Sequence, residues 1–130
     1  MKYALLIYAN EQDWANQSEE QGQAQFQEYM VFTKDIVDRG IYQSGEALQP
    51  TATATTVRVR DGETLTTDGP FAETKEQLGG FYLLDCKDLD EAIEWAKQLP
   101  MDQGAVEIRP VMDYAGTSYE EIERTAETRR

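Results

Sequence analysis

The opening strand of this 130-residue sequence constrains its fold more than any other feature. Residues 3–8 read Tyr-Ala-Leu-Leu-Ile-Tyr, so both alternating sets of side chains are apolar. Because successive side chains of a strand point to opposite faces, such a strand needs cover on both faces. Only two long helical patterns follow it, and these are enough to cover one face. We therefore expect a second subunit to cover the other.

The first helical pattern runs from Ser18 to Arg39. Ser18 and Gln21 have the spacing of a capping box, and Gly40 follows as a C-terminal stop. An i, i+3, i+4 spacing of apolar side chains predicts one buried face. Its members are Phe26, Tyr29, Met30, Thr33, Ile36 and Val37.

Strand and turn signals divide the middle of the chain. Residues 41–44 resume as a strand, and residues 55–60 and 64–66 flank Asp61-Gly62. An Asp-Gly pair between two such runs predicts a β-hairpin. A loop is expected over residues 68–80, followed by a strand at 81–84.

The last part of the folded chain repeats the helix-then-strand pattern. Asp88 and Glu91 predict a capped helix that ends at Pro100, with Leu89, Ala92, Ile93, Ala96 and Leu99 as its apolar stripe. Residues 105–111 form the last predicted strand. The order β-α-β-(hairpin)-β-α-β predicts a ferredoxin-like α+β fold, an antiparallel sheet with two helices on one face. Pairing of the bare sheet faces then predicts a dimeric α/β barrel.

Composition excludes several classes of function. The formal charge of −13 opposes binding to nucleic acid or to an anionic membrane surface. Cys86 is the only cysteine, which excludes an intrachain disulfide and any Cys-x-x-Cys site. There is no histidine, so catalytic triads and histidine-ligated metals are excluded. We expect no cofactor, no membrane span and a cytoplasmic location.

One long central segment carries a family resemblance. Residues 67–81, which read Thr-Asp-Gly-Pro-Phe-Ala-Glu-Thr-Lys-Glu-Gln-Leu-Gly-Gly-Phe, resemble the signature of the DGPF branch of the YCII-related proteins. Residues 1–8, 54–58, 89–96 and 104–111 resemble the same family. The resemblance covers roughly residues 1–112, which we expect to form one domain. Residues 113–130 lie outside it and are expected to form a partly helical tail docking on the sheet edge or a partner.

The resemblance implies a dimeric ferredoxin-like barrel. Some members of the branch are fused to, or encoded beside, extracytoplasmic-function sigma factors. The wider superfamily includes lyase-type enzymes, among them dehydrochlorinases that use a His–Asp pair. That pair cannot be carried over, because this chain has no histidine.

The residues that remain for acid–base chemistry lie in the central segment. Asp68-Gly69-Pro70 is typical of a tight turn, and the same turn would place the Asp68 carboxylate at the mouth of a barrel. Glu73 is the second candidate catalytic acid or base. A solvated, purely structural turn is the alternative for both.

Candidate ligand-binding residues flank these two carboxylates. Phe71 would wall an apolar pocket, while Arg58 and Arg109, both in predicted strands, would bind a carboxylate or enolate oxygen. Lys75 and Glu76 would form a mixed-charge edge of the cleft. Each also has a plain structural interpretation, as core packing, a surface salt bridge or a solvated turn.

Two functions therefore remain open at the level of sequence. The first is a barrel that binds a small anionic or aromatic molecule and performs lyase-like acid–base chemistry. The second is a non-catalytic regulatory or protein-interaction homodimer, linked to a sigma factor. A cavity that collects Asp68, Glu73 and an arginine would favour the first.

Overall fold

The first strand lies at the centre of the sheet, as its two apolar faces require. The structure is a computed structural model that describes residues 1–113 and Arg124. Strand β1 (Lys2–Ala9) pairs antiparallel with β5 (Gln77–Asp85) on one side and with β6 (Ala105–Pro110) on the other. Strand β2 (Tyr42–Ala47) pairs with β5, which gives the order β2-β5-β1-β6. This is the predicted ferredoxin-like α+β fold.

The predicted hairpin forms a separate two-stranded sheet. Strands β3 (Thr55–Arg60) and β4 (Glu63–Asp68) pair through the turn at Asp61-Gly62. Both turn residues have positive φ, 52° and 81°, as a tight hairpin of this kind requires. Nearly every residue of the hairpin is exposed.

Three α-helices are described, and the two long ones were predicted. Helix α2 (Glu19–Asp38) begins at the Ser18–Gln21 capping box, in which both reciprocal hydrogen bonds are made. Helix α3 (Leu89–Lys97) is capped by Asp88, whose carboxylate accepts from the Glu91 amide at 2.9 Å. The short helix α1 (Glu11–Ala15) was not predicted. No helix in the part of the chain that is described is long and apolar enough to cross a membrane.

The core lies between one face of the sheet and helices α2 and α3. Tyr3, Leu5 and Ile7 of β1 are buried there, and Phe32 of α2 contacts the Trp95 ring of α3 edge to face at 6.2 Å. The opposite face of the sheet is only partly covered. Its apolar side chains, which we call the open face, are Ala4, Leu6, Tyr8, Leu78, Phe81 and Leu83.

The predicted buried face of α2 was wrong in part. Ile36 is buried and Tyr29 and Thr33 are half-buried, but Phe26, Met30 and Val37 are 65%, 55% and 50% exposed. Phe26 and Met30 lie on the N-terminal half of the helix and face a pocket described below, whereas Val37 lies near its C-terminal end. In α3, Leu89 is exposed and Trp95, absent from the predicted stripe, is buried. The predicted 68–80 loop is also shorter, because Asp68 ends β4 and residues 77–80 begin β5.

Candidate functional site

The structure gathers most of the predicted site residues on one exposed arm. This arm, residues 54–76, comprises the hairpin and the segment that follows it. The Arg58 Nη2 donates to the Phe71 carbonyl at 2.5 Å, and Thr56 Oγ1 donates to the Gly69 carbonyl at 2.7 Å. Gly69 has φ of 97°, so the Asp68-Gly69-Pro70 turn uses the conformational freedom of its glycine.

Among the described residues, the candidate side chains of the arm lie on its surface and not around a shared cavity. The side chains of Asp68, Glu73, Lys75 and Glu76 are exposed, and Phe71 is 71% exposed. Across residues 1–113, no ion pair joins these carboxylates to an arginine or lysine. The geometry that would favour acid–base chemistry is therefore absent from the described part of a single chain.

Arg109 lies far from the arm in the topology. It is on β6, directly opposite Ala4 on the open face, and its strand neighbour Glu107 is opposite Leu6. Both charges thus sit at the edge of the open face, as their alternation predicts. Cys86 is 2% exposed, and burial, with a smaller effect of Glu91, raises the pKa of its thiol to about 11. This supports its interpretation as a small core residue.

A pocket that the sequence did not reveal lies under the N-terminal half of α2. We call it the α2 pocket. It has a volume of about 450 Å³ and lies between α2, β2 and the start of β5. Its walls are formed mainly by Trp14, Phe26, Tyr29, Met30, Tyr42 and Tyr82.

The exposure of Phe26 and Met30 is explained by this pocket. Phe26 and Met30 both line it, so their apolar surface faces a cavity instead of the core. Trp14 closes one end and packs against Gly79, where a Cβ would lie 2.7 Å from the indole Cη2. The helical period located Phe26 and Met30 on one face, but it could not tell a cavity wall from a core contact.

The floor of the α2 pocket carries its hydroxyl groups. Thr33 Oγ1 lies 2.7 Å from the Tyr82 hydroxyl and donates to the Tyr29 carbonyl at 2.8 Å. Edge-to-face contacts with Phe32 and Tyr42, at 5.3 and 6.3 Å, hold the Tyr82 ring. Burial, with a smaller effect of Tyr82, raises the pKa of Tyr29 to about 12, and burial also raises the pKa of Tyr82. Both phenols therefore stay protonated and neutral near pH 7.

A second cavity shares the Trp14 end but is chemically different. It has about 480 Å³ and is lined largely by polar side chains, including the carboxylates of Asp13, Glu28 and Asp102. Among the described residues, no three of histidine, cysteine, aspartate and glutamate come together as a candidate metal cluster. The α2 pocket is thus the one whose lining suits an apolar ligand.

The fold defines a ferredoxin-like α+β domain with an aromatic pocket beside its longest helix. The YCII-related domain matches residues 1–115, and the chain belongs to that family. It is also similar to an uncharacterized protein of Rhizobium meliloti (strain 1021). The two are 40% identical over 117 residues, which span 88% of this chain and 94% of the relative.

Proposed function

We propose that this YCII-related protein binds a small aromatic molecule in the α2 pocket. The observation that carries the proposal is the combination of aromatic walls with a hydroxyl pair at the floor. Small-molecule sites are typically mostly apolar clefts of roughly 300–1,000 Å³ with a few converging polar groups. The α2 pocket meets both conditions.

The exposure of Phe26 and Met30 supports an occupant for the pocket. When a ligand removes large apolar side chains at a cavity mouth from water, the burial of their surface favours binding. The aromatic rings of the lining and the Met30 thioether also offer the edge, face and sulfur contacts that an aromatic ligand uses. An aromatic molecule therefore fits this lining better than a flexible polar one.

Binding of p-cresol, followed by isothermal titration calorimetry, tests the proposal. For a ligand of this size we expect a dissociation constant between about 10 μM and about 1 mM. Phe26→Ser should weaken binding by about tenfold, since it removes one wall. Val31→Ser is the matched control, because Val31 is 71% exposed on the same helix but does not line the α2 pocket.

Absence of p-cresol binding at millimolar concentration would contradict the proposal. Equal weakening by both serine variants would also contradict it, because it would place the ligand elsewhere or show a general effect on α2. If a second copy of the chain occupies the pocket instead, the apparent affinity for p-cresol will fall as the protein concentration rises.

The second candidate function is that of a homodimer, supported by the open face and the exposed arm. The open face leaves apolar side chains of β1 and β5 partly uncovered, and the arm exposes Val57, Val59, Leu65 and Phe71. A two-stranded hairpin whose residues are nearly all exposed is marginally stable in water, so a partner surface would stabilise it. A regulatory or interaction dimer would use these surfaces.

Acid–base chemistry by Asp68 or Glu73, in contrast to a non-catalytic dimer, would also depend on a partner subunit. It would need a second subunit to close a cleft over the arm, with Arg58, Lys75, Glu76 and Arg109 contacting an anionic ligand. Sedimentation equilibrium tests the dimer: Leu83→Glu places a charge on the open face and should convert a dimer to monomers. A monomer for the unmodified chain at micromolar concentration would remove this candidate.

A further inference from the structure

A count of protons at the floor of the α2 pocket fixes the direction of its hydrogen bonds. The Thr33 hydroxyl carries a single proton, and that proton is donated to the Tyr29 carbonyl at 2.8 Å. In the 2.7 Å contact between Thr33 Oγ1 and the Tyr82 hydroxyl, Tyr82 must then be the donor. The only proton of the Tyr82 hydroxyl is thus already used inside the protein.

The Tyr82 oxygen therefore meets a ligand as an acceptor. A phenol oxygen keeps acceptor capacity after its proton is donated. The ring contacts with Phe32 and Tyr42 hold that oxygen in place, so a bound molecule cannot easily turn it away. A ligand with a hydrogen-bond donor can therefore bond to the Tyr82 oxygen, whereas a ligand with only an acceptor cannot.

The Tyr29 hydroxyl complements this arrangement. Its phenol lines the same pocket and lies close enough to Tyr82 for the two to interact electrostatically. Tyr29 makes its hydrogen bond to Thr33 through the backbone carbonyl, which leaves its hydroxyl proton for a ligand. One group that donates to Tyr82 and accepts from Tyr29 would use both phenols, and a hydroxyl does both.

The charges around the pocket disfavour an anionic ligand. Among the described residues that line it, Glu46 is the only charged one, and none is a lysine or an arginine. Glu46 is opposite Phe81 in the sheet, on the open face, so its carboxylate is directed away from the pocket floor. An anion placed here would lose its hydration without a compensating cation.

We propose, on the basis of the proposed function, that the ligand of the α2 pocket is a neutral phenol. Its hydroxyl donates to Tyr82 Oη and accepts from the Tyr29 hydroxyl, while its ring packs against Phe26 and Met30. Thr33 is the positioning residue for this specificity. Its hydroxyl oxygen accepts the hydrogen bond from the Tyr82 hydroxyl, so the Tyr82 oxygen can only accept a hydrogen bond from a ligand.

Four matched probes test the inference by calorimetry: p-cresol, 4-methylanisole, toluene and 4-methylbenzoate. They share one ring and one methyl group and differ at the opposite position, which is a donor, an acceptor only, hydrogen or an anion. We expect p-cresol to bind about tenfold tighter than 4-methylanisole, which keeps only the hydrogen bond from Tyr29, and tighter still than toluene, which makes neither. The benzoate should bind about 100-fold more weakly than p-cresol, because no cation meets its charge.

Variants of Thr33 and Tyr82 test the preference for p-cresol over 4-methylanisole. A purely structural role of these residues would not change that preference. In Thr33→Val the Tyr82 hydroxyl loses its acceptor and can donate its hydrogen bond to a ligand. 4-Methylanisole should then bind as tightly as p-cresol or tighter. Thr33→Ser keeps the hydroxyl and should keep the preference for p-cresol. In Tyr82→Phe the acceptor is lost, and p-cresol should fall to the affinity of 4-methylanisole, which also meets only the Tyr29 donor. Because Thr33→Ser and Tyr82→Phe are conservative, they decide the matter even when Thr33→Val does not fold.

The outcomes separate this inference from the proposed function. Binding of all four probes with similar affinity, unchanged in Tyr82→Phe, would leave the α2 pocket as a ligand site and overturn the choice of a phenol. Tighter binding of 4-methylbenzoate or 4-methylanisole than of p-cresol would overturn it in the same way. Failure of every probe to bind would remove the proposed function itself.

Discussion

The indole of Trp14 lies directly over Gly79, so closely that a Cβ on Gly79 would be 2.7 Å from Cη2 and 3.1 Å from Cζ3. Real Cβ atoms do not approach a ring atom this closely. Gly79 is the residue at which the pairing of β1 and β5 shifts, because Ile7 pairs with Gly80 and Tyr8 with Leu78. The contact therefore joins helix α1 to the sheet and sets the end wall of the α2 pocket.

Gly79→Ala should displace Trp14 and open this end of the pocket. We expect p-cresol binding to weaken about five- to tenfold and the tryptophan emission maximum to shift toward the red as the indole becomes hydrated. Gly22→Ala adds a methyl group to the same pocket lining without a clash, since a Cβ there would meet only the Gln17 Oε1 at 3.9 Å, and is therefore the control for the contact with Trp14. This control should stabilise helix α2 by about 0.5–1 kcal/mol. Unchanged emission in Gly79→Ala would contradict the wall function of Trp14.

Glu11 ties the loop after β2 to helix α1. Its carboxylate accepts from the Thr51 amide at 2.7 Å and from the Thr51 hydroxyl at 2.8 Å. Glu11→Ala should lower the free energy of unfolding by about 1.5–3 kcal/mol, as expected for hydrogen bonds to a charged acceptor. Amide hydrogen exchange at Thr51 should accelerate at the same time. Glu19→Ala, an exposed carboxylate in the first turn of α2, is the control and should cost less than about 1 kcal/mol.

Cys86 should be nearly inert toward thiol reagents in the folded protein. Its side chain is 2% exposed and its thiol has a pKa of about 11, so little thiolate is present at pH 8. We expect its reaction with Ellman's reagent to be at least about 100-fold slower than that of a free thiol. Unfolding in urea should restore rapid reaction. Fast reaction under native conditions would show that Cys86 is accessible and would contradict its place in the core.

The stability of the fold should decrease at alkaline pH. Burial raises the pKa of Cys86 from 9.0 to about 11 and that of Tyr29 from 10.0 to about 12, and it also raises the pKa of Tyr82. In each case the folded state favours the protonated form, so the stabilisation is complete below the unfolded pKa. It is lost as pH rises through the folded value.

Urea unfolding curves at a series of pH values measure this loss. We expect the free energy of unfolding to fall by roughly 2–4 kcal/mol between pH 9 and pH 12. In Cys86→Ala the fall should begin about one pH unit later, because the tyrosines then titrate first. A free energy of unfolding that stays constant to pH 11 would contradict the burial of these groups.

Much of the fold could be predicted because its signals are local. The Ser18–Gln21 capping box and the Asp61-Gly62 turn each involve neighbouring residues whose side chains or φ angles specify the element. The two apolar faces of β1 predicted cover on both faces of the strand, but its position between β5 and β6 was not predicted from them. Local rules of this kind also located the ends of α2 within a residue or two.

The α2 pocket could not be predicted because its residues come from distant parts of the chain. Thr33 and Tyr82 are 49 positions apart, and nothing in either local sequence signals that their hydroxyls meet. Helix α1 was missed because it is only five residues long and its first turn carries no apolar period. The arm is the reverse case. Its sequence motif is specific, but most of its residues in a single chain face solvent.

The central claim is that a small aromatic molecule binds in the α2 pocket and not on the arm. Titration of ¹⁵N-labelled protein with p-cresol tests it directly, since glycine amides mark both places. We predict shifts at Gly45, Gly79 and Gly80, which line the pocket, with Gly62 and Gly69 of the arm unchanged. Shifts confined to Gly62 and Gly69 would contradict the account and would point to the Asp68 segment as the binding site.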